Sequence, residues 1–262
     1  FTCFCPSCRT AATEAGYDWD RIERDTRALW DRLHRLTPDD LRRATDTADW
    51  LFIVGSSLLA APGIADLLRF KAATVRAAIT ELRAVLDAAG CQSVPLEVNG
   101  FAPPWSLVTG MAYGEIGQVA SATRCKLFTF HWPLITRWWS ESLLAWNPIL
   151  DEDAVIRAVT AALDLPAPGN ARPLRLDDFH MPAPTEPHPI TPDALTRKLN
   201  QAVALAGNGA PCQAYIHSYR PADEFAATLA AASASNAHGC WVQRYGYLSD
   251  EKLAILRDTW GG

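Results

Sequence analysis

The stretch FTCFCPSCRT places Cys3, Cys5 and Cys8 in a Cys-x-Cys-x-x-Cys pattern. Thiolates at this spacing can converge on one tetrahedral ion, and three ligands leave its fourth position open. A packed thiol cluster is the competing reading, and spacing alone does not separate the two. The other four of the seven cysteines, Cys91, Cys125, Cys212 and Cys240, stand singly beside apolar segments, as small hydrophobes do. An odd total makes no disulfide framework, and a reducing, cytoplasmic compartment fits this usage.

A second set of reactive residue types lies along four short apolar runs, SVPLEVNG (93–100), CKLFTFHW (125–132), CQAYIHSY (212–219) and GCWVQRYG (239–246). Read as parallel strands, they carry at their C-terminal ends Glu97 and Asn99; His131 and Trp132; His217, Tyr219 and Arg220; and Arg244, Tyr245 and Tyr247. In a barrel of parallel strands, chemistry sits where strands end and loops begin. Each residue also has a plain structural explanation, such as a satisfied core histidine or an arginine paired with a carboxylate. Agreement among four strands is what favours a site.

Glu97 is the one carboxylate in this set, which makes it the candidate general acid or base. Burial beside Phe101 and Trp105 is expected to raise its pKa. A two-carboxylate mechanism needs a partner, and no strand end supplies one. Asp223 and Glu224 fall in the first turn of a helix, where they serve its dipole. Asn99, His131, His217, Tyr219, Arg244 and Tyr245 are candidates to hydrogen-bond a substrate, and Trp105 or Trp132 to stack on a sugar ring. Trp138 and Trp139 read as helix packing. An alternative set is His131, His217 and Glu97 around a catalytic metal.

The elements that must position these residues alternate between helix and strand. Apolar spacing predicts a helix over 17–36. A second helix starts at Thr37-Pro38 with Thr37 as N-cap, and a long one over 64–89 ends at Gly90. Further helices are expected before and after the second strand, after the cap Thr191-Pro192-Asp193, and after Ser249. The predicted organisation is a cysteine loop (1–16), a helical segment (17–92) and four strand–helix units (93–262). Residues 166–190, rich in proline, make an extended surface excursion. The fold class is α/β, and four such units are half of a (β/α)8 TIM barrel, strands 5 to 8. An open doubly wound sheet would need a Gly-rich phosphate loop, and neither GNGAPC nor VGSSLLA supplies one.

The 262 residues, 49% of them hydrophobic, can bury a substantial core. With 24 basic and 29 acidic residues and a net charge of −5, no basic block suggests a nucleic-acid partner or an anionic membrane surface. The longest apolar run, WLFIVGSSLLAA at 50–61, is too short to cross a bilayer. No organic cofactor motif is present, and the oligomeric state is not legible. Because Phe1 stands where Met is expected, the sequence reads as lacking an N-terminal portion.

CFCPSCRTAATEAG resembles the Cys-x-Cys-x-x-Cys-Arg segment of family 42 β-galactosidases and of uncharacterised bacterial glycosidase-like barrel proteins. The resemblance implies a structural zinc, with Cys3, Cys5 and Cys8 as three of four ligands and the fourth upstream. LLRFKAATV and LEVNGFAPPWSLVTGMAYGEIGQVA resemble the corresponding helix and fifth strand of the uncharacterised relatives. By the same comparison the chain is a glycoside hydrolase-like protein with a carbohydrate ligand. The family's nucleophile carboxylate does not transfer, because the matching strand reads AYIHSYR with His217. A non-catalytic carbohydrate-binding barrel and a metal-dependent sugar isomerase are the alternatives.

Overall fold

The computed structural model describes residues 3–46, 55–57, 59–165, 172–188 and 190–260. It divides into two compact units, one of residues 1–74, 108–110 and 135–179, the other of residues 75–107, 111–134 and 180–262.

The first unit is helical. It contains α1 (Pro6–Glu14), α2 (Trp19–Leu33), α3 (Pro38–Thr45), the start of α4 (Pro62–Ala88), most of α7 (His131–Trp146) and α8 (Glu152–Ala162). Local chemistry sets the helix starts. Asp18 accepts from the Arg21 N–H at 3.0 Å, and Thr37 and Asp40 form a reciprocal capping box. Ile22 and Trp19 on α2 are buried with Ala12, while Leu41, Leu143, Val155 and Val159 form a separate apolar cluster. Asn147 is buried beside the latter. Its amide donates to the Leu33 and Leu143 carbonyls and accepts from the Leu36 N–H at 2.9 Å, closing the end of α2. Gly63 lets α4 approach α2, since a Cβ there would lie 2.6 Å from the Arg21 carbonyl oxygen.

The second unit holds a four-stranded parallel sheet in sequential order, β1 (Glu97–Phe101), β2 (Ala122–Leu127), β3 (Cys212–His217) and β4 (Cys240–Gln243). The short helices α5 (Trp105–Thr109, shared with the first unit) and α6 (Tyr113–Ile116) follow β1. Helix α9 (Pro192–Ala206) precedes β3, α10 (Ala222–Ser233) follows it, and α11 (Asp250–Trp260) follows β4. The expected caps are present, with Thr191 accepting from Ala194 N and Ser249 from Lys252 N.

Register sorts the sheet into two unlike faces. Gly100, Cys125, Leu127, Cys212, Ala214 and Ile216 alternate onto one face and are buried, with α9 packing on β2 and β3 and α10 on β3. The other face carries Glu97, Asn99 and Phe101; Arg124 and Lys126; Gln213, Tyr215 and His217; and Trp241 and Gln243. Most of these are half-buried or exposed.

The sequence reading misplaced several boundaries. The second strand begins at Ala122 and ends at Leu127, so His131 and Trp132 open α7 rather than close the strand. Residues 6–14 are a helix, not a loop, because Pro6 at its first position and the run Thr10-Ala11-Ala12-Thr13 favour one. Helix α8 was not anticipated, although Asp151 caps it by accepting from Ala154 N at 3.0 Å. Of the proline-rich stretch, 166–171 and 189 lie outside the described residues, as do 50–54 and 58 of the apolar run. The described part of the proline-rich stretch is extended with one 3-10 turn at Leu176–Asp178, and it buries Leu174 and Phe179 against Ile156. Among the described residues no helix is long and apolar enough to cross a membrane.

Candidate functional site

At the C-terminal end of the sheet, aromatic rings and imidazoles form one connected cluster. Phe130 lies between them, with ring centroids 4.2 Å from His131, 5.0 Å from His217, 5.3 Å from Tyr219 and 6.3 Å from His188. Phe128 touches His131 and His217, and Tyr247 packs edge-on to Tyr219 at 5.0 Å. Lys126 places its ammonium 5.1 Å from the centre of the Phe101 ring and 5.8 Å from that of Phe128.

Buried hydrogen bonds hold these groups. Arg220 is fully buried; its guanidinium donates to Thr228 Oγ1, to the Leu127 carbonyl and, at 2.8 Å, to Thr129 Oγ1. Thr129 Oγ1 stands 2.6 Å from His188 Nδ1. That hydroxyl also accepts from Arg220 and keeps a second lone pair, so the bond to His188 is satisfied with the hydrogen on either partner. His217 Nδ1 accepts from the Tyr219 N–H at 2.9 Å, so the His217 proton sits on Nε2. Ser218 donates to the Gln243 and Arg244 carbonyls, and the Lys252 ammonium donates to the carbonyls of Ser218 and Tyr247. These bonds join the loops after β3 and β4. Arg244 takes a left-handed backbone, φ +69°, which is strained for a residue other than glycine.

The imidazoles are neutral at ordinary pH. Burial, then Arg220 and His217, lower His188 to about 4. Burial, then Arg244, Arg220 and His131, lower His217 to about 4, and burial with Lys126 beside it lowers His131. Glu224 is a half-buried carboxylate of this region. It accepts the His188 N–H at 2.9 Å, and burial raises its pKa. Sequence reading left Glu224 to the helix dipole and passed over His188. A histidine inside a proline-rich stretch, where the chain must come back to the sheet, was the available signal.

The expected site residues separate. His131, His217, Tyr219 and the cluster around them gather as expected, with the mostly exposed Tyr245 and Arg244 just past β4. Trp105 opens α5, after β1. Trp132 is 9% exposed, with the Lys198 ammonium 5.6 Å from its ring centre, so it is not the open stacking platform foreseen. Asn99 is exposed at mid-strand, opposite Arg124. Glu97 is the first residue of β1, not near its end, and lies at the other end of the sheet from His131 and His217. There its carboxylate pairs with Arg124, whose guanidinium lies 3.8 Å from the Trp241 ring centre and donates to Gln213 at 3.2 Å. An ion pair, rather than the apolar pocket foreseen beside Phe101 and Trp105, is its setting. The slip arose because the strand begins four residues later than the apolar run.

In the helical unit, Cys5 is the N-cap of α1 and Cys8 lies in its first turn. The sulfur atoms of Cys3, Cys5 and Cys8 all lie within 4.8 Å of one another. Tetrahedral thiolates on zinc, each about 2.3 Å from the ion, stand about 3.8 Å apart, so small rotations suffice for the three to hold a metal. The Cys8 backbone N–H, then the Cys3 and Cys8 side chains, lower Cys5 to about 7, while Cys8 is pushed up to about 11 by its bond to Cys5 and by burial. No other group of three potential ligand side chains converges among the described residues, so His131, His217 and Glu97 are not drawn together around an ion.

Comparison with protein-family models, with curated proteins and with solved structures finds no match to this chain.

Proposed function

We propose that this chain is half of a glycosidase-like (β/α)8 barrel whose strand ends bind a carbohydrate, and that it acts by binding rather than by hydrolysis through Glu97. The observation that carries the reading is the cluster of Phe128, Phe130, Tyr219 and Tyr247 with the neutral imidazoles of His131 and His217 at the C-terminal end of a parallel sheet. Ring faces and neutral N–H and O–H groups together suit the apolar and hydroxyl-bearing sides of a sugar. The sequential, all-parallel strand order, with a polar face opposite the helix-covered one, supports the barrel. Cys3, Cys5 and Cys8 supply three ligands to a structural zinc, which fixes the start of α1. The seven free thiols agree with a reducing, cytoplasmic setting.

Hydrolysis remains a second reading because of one observation: Glu224, half-buried in the first turn of α10, has a raised pKa, as a proton donor requires. A glycan array probed with the labelled protein tests the first reading. Retention of a defined set of saccharides, weakened at least ~10-fold by Tyr219→Ala, is expected; no retention of any saccharide contradicts it. Release of reducing sugar from a retained glycan, abolished in Glu224→Gln, transfers the assignment to the second. Zinc near one equivalent by elemental analysis, lost in Cys5→Ser, is expected of the thiol cluster, and retention of zinc by that variant removes it as the site.

A further inference from the structure

At the C-terminal end of the sheet the carboxylates Asp223, Glu224, Asp250 and Glu251 stand in the first turns of α10 and α11, yet two cations there are left without one. Lys126 makes no ion pair or hydrogen bond among the described residues; its contacts are the Phe101 and Phe128 rings. Arg244 likewise has no carboxylate partner there, and the groups acting electrostatically on His217 are Arg244, Arg220 and His131. Lys126 is the one acting on His131. Of the carboxylates, Glu224 is engaged by the His188 backbone N–H and lies beside Arg220, and Glu251 acts on Lys252.

An independent observation lies in the same cluster. His188 is 3% exposed, and its Nε2 has no hydrogen-bond partner among the described residues. A buried polar nitrogen left without a partner is costly. Its ring lies against Phe130 and Tyr219, within the same cluster. Cations without carboxylate partners, beside the Nε2 N–H of His217, offer negative oxygen atoms a place at this strand end.

We infer that this strand end binds an anionic group, a phosphate or carboxylate, held by Lys126 and Arg244 and by the Nε2 N–H of His217. On the reading above, that group belongs to a charged sugar; the anion site itself does not depend on the sugar. The ammonium on its aromatic seat and the guanidinium on its left-handed backbone supply charge. The imidazoles, neutral and single-proton, supply direction without adding to the repulsion between the cations. Nothing at the opposite end competes, because Arg124 is already paired with Glu97.

The test follows the imidazole signals of the full chain by nuclear magnetic resonance during titration with inorganic phosphate, then sodium acetate, against potassium chloride at matched ionic strength. Saturable shifts of the His131 and His217 signals are expected with phosphate. Affinity should fall at least ~10-fold in Lys126→Met and in Arg244→Gly. The second substitution removes the guanidinium while relieving the left-handed backbone, so it guards against a folding defect. Saturation by phosphate alone assigns a phosphoryl ligand, and saturation by acetate as well admits a carboxylate. Shifts that merely track potassium chloride, or variants that titrate like the parent, overturn the inference. Phosphate saturation without saccharide retention removes the sugar and keeps the anion site; saccharide retention without phosphate saturation does the reverse.

Discussion

The two ends of one sheet face carry similar residue types and reach opposite electrostatic states. At the start of the strands, Glu97, Arg124, Gln213 and Trp241 satisfy one another: a carboxylate neutralises a guanidinium that also lies on an indole and donates to an amide. At their finish, Lys126 and Arg244 lie among aromatic rings and neutral imidazoles without carboxylate partners. The first arrangement is closed and links all four strands through Arg124. The second leaves its cations unpaired, as the proposed anion site requires. Polar residues on an inward-type sheet face are therefore not one site, and which end they occupy decides whether they are structure or function.

The largest expected effect breaks the open end from beneath. Arg220→Met removes the buried cation that joins Thr129, Thr228 and the Leu127 carbonyl, leaving that carbonyl and two hydroxyls without their donor and Glu224 without a nearby positive charge. Urea denaturation should show a loss of about 3–5 kcal/mol. A loss below ~1 kcal/mol would mean that the imidazole cluster does not depend on this support.

Acid should strike the same end before the other. His188 and His217 are held at about 4 in the folded chain against an ordinary 6.5, so between those values the unfolded state binds more protons. Stability then rises with pH in that window, and falls as pH drops from 6.5 towards 4. The expected loss between pH 6.5 and 4.5 is on the order of 1–3 kcal/mol, read as a lower Tm. His188→Phe should flatten the slope. An unchanged Tm across this window contradicts the neutral, buried imidazoles.

A smaller effect is expected at the closed end. Glu97→Gln should cost about 1–2 kcal/mol, and a double-mutant cycle with Arg124→Met should return a coupling of about 1 kcal/mol, because the pair is only partly buried. Coupling near zero would reduce the pair to a surface contact.

Much of this was legible in the sequence, for reasons the structure makes physical. Thr37, Thr191 and Ser249 are side chains whose oxygens cap helices locally, so their meaning does not depend on the rest of the fold. The parallel α/β order followed from alternating helix and strand patterns. What failed was position along a strand. SVPLEVNG and CKLFTFHW are apolar beyond the paired segments, and hydrogen bonding between strands, which a single sequence does not display, decides where pairing starts. That shift put Glu97 at the wrong end and His131 on the wrong element. His188 was hidden for a different reason: its role depends on Thr129 and Arg220, residues 59 and 32 positions away in sequence.

The most direct measurement sets the two ends side by side: glycan-array retention and sugar release by Glu97→Gln and His131→Ala, each checked for folding by circular dichroism. The account predicts that Glu97→Gln retains the parent's saccharides with affinity within about 2-fold, whereas His131→Ala loses at least ~10-fold. Loss of retention or of turnover in Glu97→Gln, with His131→Ala unaffected, would place the function at the opposite end of the sheet and contradict it.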